Sequence, residues 1–235
     1  MNLFARIRFY YSAFFISSVV SIMIPLLYFF PKQKRWILHY GNKLMLILLF
    51  AKVTTVGKPD EKASLFLINH QGVVDIITLE ALLDKNLNWV AKKELFEIPW
   101  FGLLLKNGEM ISVDREDRRG LIKLLRDVKH SVEVLRRPVA IFPEGTRAKD
   151  QKLLPFKLGA KFIAEKYCMT VQPVVIVGSK SVVNEHKKIS IGGNLKVIFL
   201  PSIDVPNAPK DWYEQLSNDI QKVIDQELEK YGNER

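Results

Sequence analysis

At 235 residues the chain is long enough for one domain with a full hydrophobic core. Its single cysteine, Cys168, excludes an intramolecular disulfide framework and a cysteine-only zinc site, and His39, His70, His130 and His186 are too scattered to offer a metal-ligand spacing. The net charge of +10 is unevenly placed: residues 1–59 hold eight Lys or Arg and no Asp or Glu, so +8 of it lies where the chain is most apolar. That distribution points to an anionic membrane surface and away from nucleic acid, which calls for a basic stripe over the body of the chain.

Phe9 to Phe30 is an uncharged run rich in Phe, Tyr, Ile and Val, long enough to cross a hydrocarbon core. It is too long for a signal peptide and no small-residue cleavage site follows it. Pro25 is expected to kink a helix here. Arg6 and Arg8 precede the run; Lys32, Lys34 and Arg35 follow it. A simple span has one positive flank, on the cytoplasmic side. Two basic flanks fit either a bent, half-inserted hairpin with both ends cytoplasmic or a weakly oriented span. In the second apolar stretch, Trp36 to Phe50, the uninterrupted part Leu44–Ala51 is too short to span and suits an interfacial helix. These stretches set off residues 1–58 as a membrane-anchoring region from a domain over 59–235.

From Ser64 onward short apolar runs alternate with helical patterns. Ser64–Ile68, Asn88–Ala91, Glu109–Val113, Val139–Phe142, Val171–Val177, Lys187–Ile191 and Leu195–Leu200 read as strands. Asp117–Arg137 reads as a helix with Leu121, Leu124, Leu125, Val128, Val132 and Leu135 on one stripe and His130 off it. Trp212–Tyr231 reads as an amphipathic surface helix. The alternation implies an α/β fold: a mostly buried mixed sheet flanked by helices.

Chemistry-bearing residues gather where strands end. His70 follows the Ser64–Ile68 run, and Asp75 opens the next helix. On one helix that spacing would part them by roughly 140°, but a strand-turn-helix junction can return the carboxylate to the imidazole, fixing its tautomer and leaving the second ring nitrogen as a base. The competing reading is an Asp helix cap beside an ordinary histidine. Gly72 is expected to permit the tight turn. Three further stretches lie at strand ends: Lys92-Lys93-Glu94-Leu95 with Pro99 and Gly102, Val113-Asp114-Arg115, and Phe142-Pro143-Glu144-Gly145-Thr146-Arg147. Arg115 and Arg147 are candidates for a phosphate grip, and Gly145 for a turn that aims backbone amides at an anion.

In this order and spacing the stretches resemble the glycerolipid acyltransferase family, closest to its bacterial 1-acylglycerol-3-phosphate acyltransferases. The H-x4-D block is His70 to Asp75. The second block runs from Lys93-Glu94-Leu95 to Asp114-Arg115, and the third is Phe142 to Arg147. The fourth is Pro173-Val174, where Gln172 stands in place of the family's usual apolar residue. The resemblance spans about residues 50 to 200, and by it the N-terminal hydrophobic region matches the two-helix membrane motif of the bacterial members. It implies acyl transfer from acyl-CoA or acyl-carrier protein to the sn-2 hydroxyl of 1-acylglycerol 3-phosphate (lysophosphatidic acid), for phospholipid synthesis, at the cytoplasmic side of the inner membrane. No cofactor or metal is implied. His70 and Asp75 would be catalytic, and Lys93, Arg115, Glu144, Gly145, Thr146 and Arg147 would bind substrate. Glu144 would hydrogen-bond a glycerol hydroxyl or position an arginine. Alternatives are acylation or transacylation of another lysolipid, such as an ornithine lipid or lysophospholipid, and a non-catalytic membrane module. A serine hydrolase is excluded, since no G-x-S-x-G is present.

Overall fold

The structure is a computed structural model and describes residues 3–114 and 118–230. In chain order it runs α1 (Leu3–Phe29), α2 (Lys34–Leu48), β1 (Ala51–Val56), β2 (Leu65–Ile68), α3 (Val73–Leu82), β3 (Asn88–Lys92), α4 (Lys93–Glu97), α5 (Phe101–Asn107), β4 (Ile111–Val113), α6 (Arg118–Glu133), β5 (Val139–Ile141), α7 (Leu158–Lys166), β6 (Thr170–Val177), α8 (Ser179–Val182), β7 (Gly193–Phe199), β8 (Ile203–Asp204) and α9 (Trp212–Lys230).

The strands form a mixed sheet in the order β1-β7-β6-β2-β5-β3-β4, with β8 beside β6. The stretch β6-β2-β5-β3-β4 is parallel throughout. Its carboxyl ends therefore lie along one edge, where α/β sheets place their sites. Alternation on β2 divides the core. Leu65 and Leu67 face α6, α7 and α9; Phe66 and Ile68 face the α3 side, and all four are fully buried. α3 itself is enclosed. Leu79 packs toward the sheet, while Val74, Ile77 and Ala81 pack against Val19, Val20, Met23 and Leu27 of α1 and Leu38, Met45 and Leu46 of α2. A helix apolar on all sides must be covered on all sides, and α1 and α2 supply the outer cover.

The expected helices over 117–137 and 212–231 form as α6 and α9, with Leu124, Leu125 and Val128 buried and His130 exposed. Three expectations change. Ala51–Val56 is an edge strand parallel to β7, so the sheet begins before residue 59. Its partner is so distant in sequence that local pattern could not place it. Lys187–Ile191 forms no strand; it makes one isolated bridge, Asn184 to Ile189, and Ser190 N–H donates to Ala5 O at 2.9 Å instead. α1 continues through Pro25 to Phe29.

Pro173 lies in a central strand, where a missing N–H is normally excluded. It is tolerated because β6 changes partner there: Thr170 and Val171 pair with β8, and Val174 to Val177 with β7. Gln172 closes the gap. Its Oε1 accepts Asp60 N–H at 2.8 Å and its Nε2 donates to Leu200 O at 2.7 Å, which accounts for a polar residue in an apolar strand.

α3 also carries Glu80, which accepts the Trp89 indole N–H at 2.6 Å. Burial pushes its pKa up to about 7, against the Trp89 hydrogen bond and the Arg137 charge. A carboxyl with a raised folded-state pKa binds a proton in the folded chain that the unfolded chain has lost. Its contribution to stability therefore falls as pH rises from the usual glutamate range to about 7. Glu80→Gln keeps an acceptor for Trp89 and removes the titration. Its Tm relative to wild type should improve between about pH 5 and pH 8; a constant difference across that range would show that Glu80 does not titrate there.

Candidate active site

The parallel strands deliver one polar residue group after another to the same edge. His70 follows β2, Lys93 follows β3, Asp114 follows β4, Glu144 to Arg147 follow β5, and Ser179 follows β6. Asn69 locks the central pair together there. Its Nδ2 donates to Ile176 O at 2.9 Å and its Oδ1 accepts Ile176 N–H at 2.7 Å, extending the β2–β6 ladder with a side chain.

His70 and Asp75 meet at 2.9 Å, Nδ1 to Oδ2. The carboxylate is wholly buried and fully engaged. Oδ2 also accepts the N–H of Gln71 at 2.6 Å and of Gly72 at 2.8 Å, and Oδ1 accepts the Ser179 hydroxyl at 2.5 Å. Asp75 is the third residue of α3, so it both caps the helix and holds the imidazole, and the two competing readings of the motif describe the same carboxylate. An acceptor on the Nδ1 side places the proton there and leaves Nε2 as a base. The His70 side chain is 11% exposed, enough for a substrate hydroxyl to reach. The ring stacks on Phe142 at 3.7 Å between centroids, and Phe142 stacks in turn on Trp89.

Gly72 has φ −172°, an extended conformation open to any residue, so backbone freedom is not its contribution. It supplies space: a Cβ would come within 2.9 Å of the Glu185 carboxylate. Gly178 does need its freedom. Its φ of 98° turns the chain from β6 into α8 and brings Ser179 to Asp75.

The third block divides by role. Arg147 is half-exposed, with Nη1 3.4 Å from Glu185 Oε1. Thr146 is exposed beside it. Gly145, at φ 72°, closes its turn by donating its own N–H to Phe142 O at 3.0 Å. Glu144 points inward rather than toward an opening. Oε1 accepts His70 N–H at 2.6 Å and Oε2 accepts Leu154 N–H at 2.7 Å, and the residue is 2% exposed. Among the described residues it bonds no arginine; it staples the β5 turn to the backbone of His70, with Ala148 N–H returning to His70 O at 2.9 Å. Burial raises its pKa to about 7, helped by the Asp75 charge and opposed by the two N–H donors. Lys93 is exposed and bonded to Asp114 at 3.3 Å. Arg115 lies outside the described residues.

Ser179, Lys180 and Glu185 are not singled out by the sequence; for Ser179, its position just after the Val171–Val177 run was the available signal. Glu185 accepts Val73 N–H at 2.9 Å, at the first turn of α3, and only the tertiary fold brings it there.

The Acyltransferase family model matches residues 52–177, and the chain belongs to that family. It is 42% identical to the 1-acyl-sn-glycerol-3-phosphate acyltransferase of Helicobacter pylori over 168 residues, covering 71% of this chain and 70% of that protein. It is 27% identical to the Escherichia coli protein of the same name over 211 residues, covering 88% and 85%. The crystal structure of the 1-acyl-sn-glycerophosphate (LPA) acyltransferase PlsC from Thermotoga maritima superposes with a TM-score of 0.71 at 23% identity, over 98% of this chain and 95% of that one, and so shares the fold.

The Glu144 staple is testable. Glu144→Ala leaves two backbone N–H groups without acceptors, each worth about 1–3 kcal/mol when buried. Thermal unfolding should occur several degrees lower; an unchanged Tm would show that the staple carries no strain-bearing load.

Proposed function

We propose that this protein transfers a fatty acyl group from acyl-CoA or acyl-carrier protein to the sn-2 hydroxyl of 1-acylglycerol 3-phosphate, forming phosphatidic acid. The observation that carries the reading is the buried Asp75 carboxylate holding His70 Nδ1, on the same sheet edge as Arg147. The relatives' names support the choice of acceptor. In this reading His70 Nε2 takes the proton of the sn-2 hydroxyl as its oxygen attacks the thioester carbonyl. The tetrahedral intermediate collapses, and the departing thiolate takes the proton back from the imidazolium. Arg147, with Arg115 and Lys93, would face the acceptor phosphate; Gly145 and Thr146 would shape that turn. Glu144 serves the reaction through the His70 backbone rather than by touching substrate.

Direct transfer, without an acyl-enzyme, fits the geometry. Cys168 lies before the amino end of β6, and the site lies beyond its carboxyl end. Eight strand residues separate them, roughly 25 Å. His70→Ala should abolish turnover and Asp75→Asn reduce it severely, while Arg147→Ala should mainly raise KM for lysophosphatidic acid. Enzyme given labelled donor alone should carry no covalent label. Substantial turnover by folded His70→Ala, equal use of lysophosphatidylcholine by wild type, or stoichiometric labelling would each sink a separate part of this reading.

The domain division and localisation belong to the same reading. Among the described residues α1 is the one helix long and apolar enough to cross a membrane. Yet both its ends are tied to the catalytic domain. Near its start Ala5 O accepts Ser190 N–H, and Arg8 packs against Gly192. Near its end Ser21 accepts the Trp100 indole N–H, and Ile24 O accepts from Asn107. Just beyond, Lys34 pairs with Glu109 and Arg35 with Asp84. A helix fixed at both ends to one domain lies along it, with Phe4, Phe14, Ile22, Tyr28 and Phe29 exposed for lipid. α1 and α2 would then rest in one leaflet of the inner membrane, on its cytoplasmic side, with both basic flanks facing anionic headgroups. Cysteines placed at 8 and 34 should both be labelled from the cytoplasm; labelling of either from outside would establish a span.

A further inference from the structure

Lys180 is the second residue of α8, next in the chain to the serine that grips Asp75. It is 6% exposed, and its Nζ is buried without a hydrogen-bond partner among the described residues. An ammonium withdrawn from water and left unpaired is a costly placement, and an apolar side chain of similar length would fill the same space without that cost. Packing therefore does not account for a lysine here; its charge must.

The charges around it are ordered. The carboxylates of Glu185 and Asp75 attract the ammonium, Arg147 opposes it, and Asp150 attracts it from the loop after β5. Burial pulls its pKa below the ordinary lysine value, and the two carboxylates act the other way. Glu185 has a matching deficit. Its Oε1 serves Val73 N–H and Arg147, but its Oε2 is buried with no hydrogen-bond partner among the described residues. Negative and positive groups thus alternate from the base to the exposed arginine: Asp75, Lys180, Glu185, Arg147.

We propose that Lys180 is a positioning residue, the shared counter-charge of Asp75 and Glu185, acting through Asp75 on the His70 base and through Glu185 on Arg147. The inference rests on the acyl-transfer reading above. A fixed positive charge behind Asp75 opposes a second positive charge on the imidazole. The Glu144 carboxyl, which burial pushes up to about 7, accepts the His70 backbone N–H. It is common to every variant below, as is the acceptor phosphate.

The test is the pH profile of kcat/KM for lysophosphatidic acid, measured on the full chain in detergent micelles. Lys180→Met should move the acid limb to higher pH by on the order of half to one unit, lower kcat about tenfold and raise KM several-fold. Lys180→Arg, which keeps the charge, should return the limb to its wild-type position. Glu185→Gln removes the opposite charge and should move it to lower pH. A merely structural lysine would change the height of the profile and not the position of its limb. An acid limb of folded Lys180→Met that coincides with wild type overturns the proposal, as does an equal shift in Lys180→Arg. If Lys180→Met does not fold, the direction found for Glu185→Gln decides: no shift, or an upward one, overturns it. Wild type is assayed first. Absence of turnover would overturn the acyl-transfer reading and this inference together, whereas an active wild type with unmoved variants overturns this inference alone.

Discussion

The Asp75 carboxylate has no contact with solvent, and the structure of the site follows from satisfying it. A buried carboxylate is stable only when donors surround it. Here four converge on it, from His70, Gln71, Gly72 and Ser179. They come from three places: the end of β2, the first turn of α3 and the turn after β6. Satisfying one side chain therefore fixes how the central parallel strands and α3 meet. Gly72 leaves room for Glu185 beside that turn, and Gly178 supplies the positive φ that brings Ser179 in. The imidazole is oriented by the same carboxylate, so the helix cap and the His70–Asp75 contact are one arrangement.

Burying α3 has a second consequence. Its outer face is covered by α1 and α2, so the apolar N-terminal helices and the helix carrying Asp75 share one hydrophobic cluster. The contacts are mutual. Arg8 packs against Gly192, where a Cβ would strike its guanidinium, and the loop that follows α8 donates to Ala5. The two helices are part of the domain's core. In the proposed reading, that geometry keeps the base close to the leaflet in which acceptor and product reside, so neither needs to leave the bilayer fully.

Several polar residues of the motifs serve the frame. Asn69 completes a ladder between β2 and β6, Gln172 bridges the change of partner along β6, and Glu144 ties the β5 turn to the backbone of His70. In each, a side chain replaces a backbone hydrogen bond that the sheet cannot supply at its edge or at a proline. Arg147 and Lys93, by contrast, remain exposed at the rim with carboxylate partners, Glu185 and Asp114. An anion arriving there would compete with those carboxylates rather than enter an empty site.

Much of this protein was determined by local sequence alone. Alternating apolar runs specified an α/β domain because strand and helix periodicities are properties of neighbouring residues. The spacing from His70 to Asp75 allowed the two side chains to meet because a strand-turn-helix junction can close over five residues. The stripe of α6 and the apolar density of α1 were equally local. Tertiary structure decided the rest, wherever the partner lay far along the chain. β1 became a strand through pairing with β7, more than a hundred residues away, while Lys187–Ile191 lost its strand to a contact with α1. Glu144 looked like a ligand beside two exposed neighbours and became a buried staple, because its acceptors face the N–H groups of His70 and Leu154. Lys180 and Glu185 carried no local signal at all. Their charges acquire meaning only from Asp75 and Arg147, which the sheet brings within electrostatic reach by folding three distant segments to one edge.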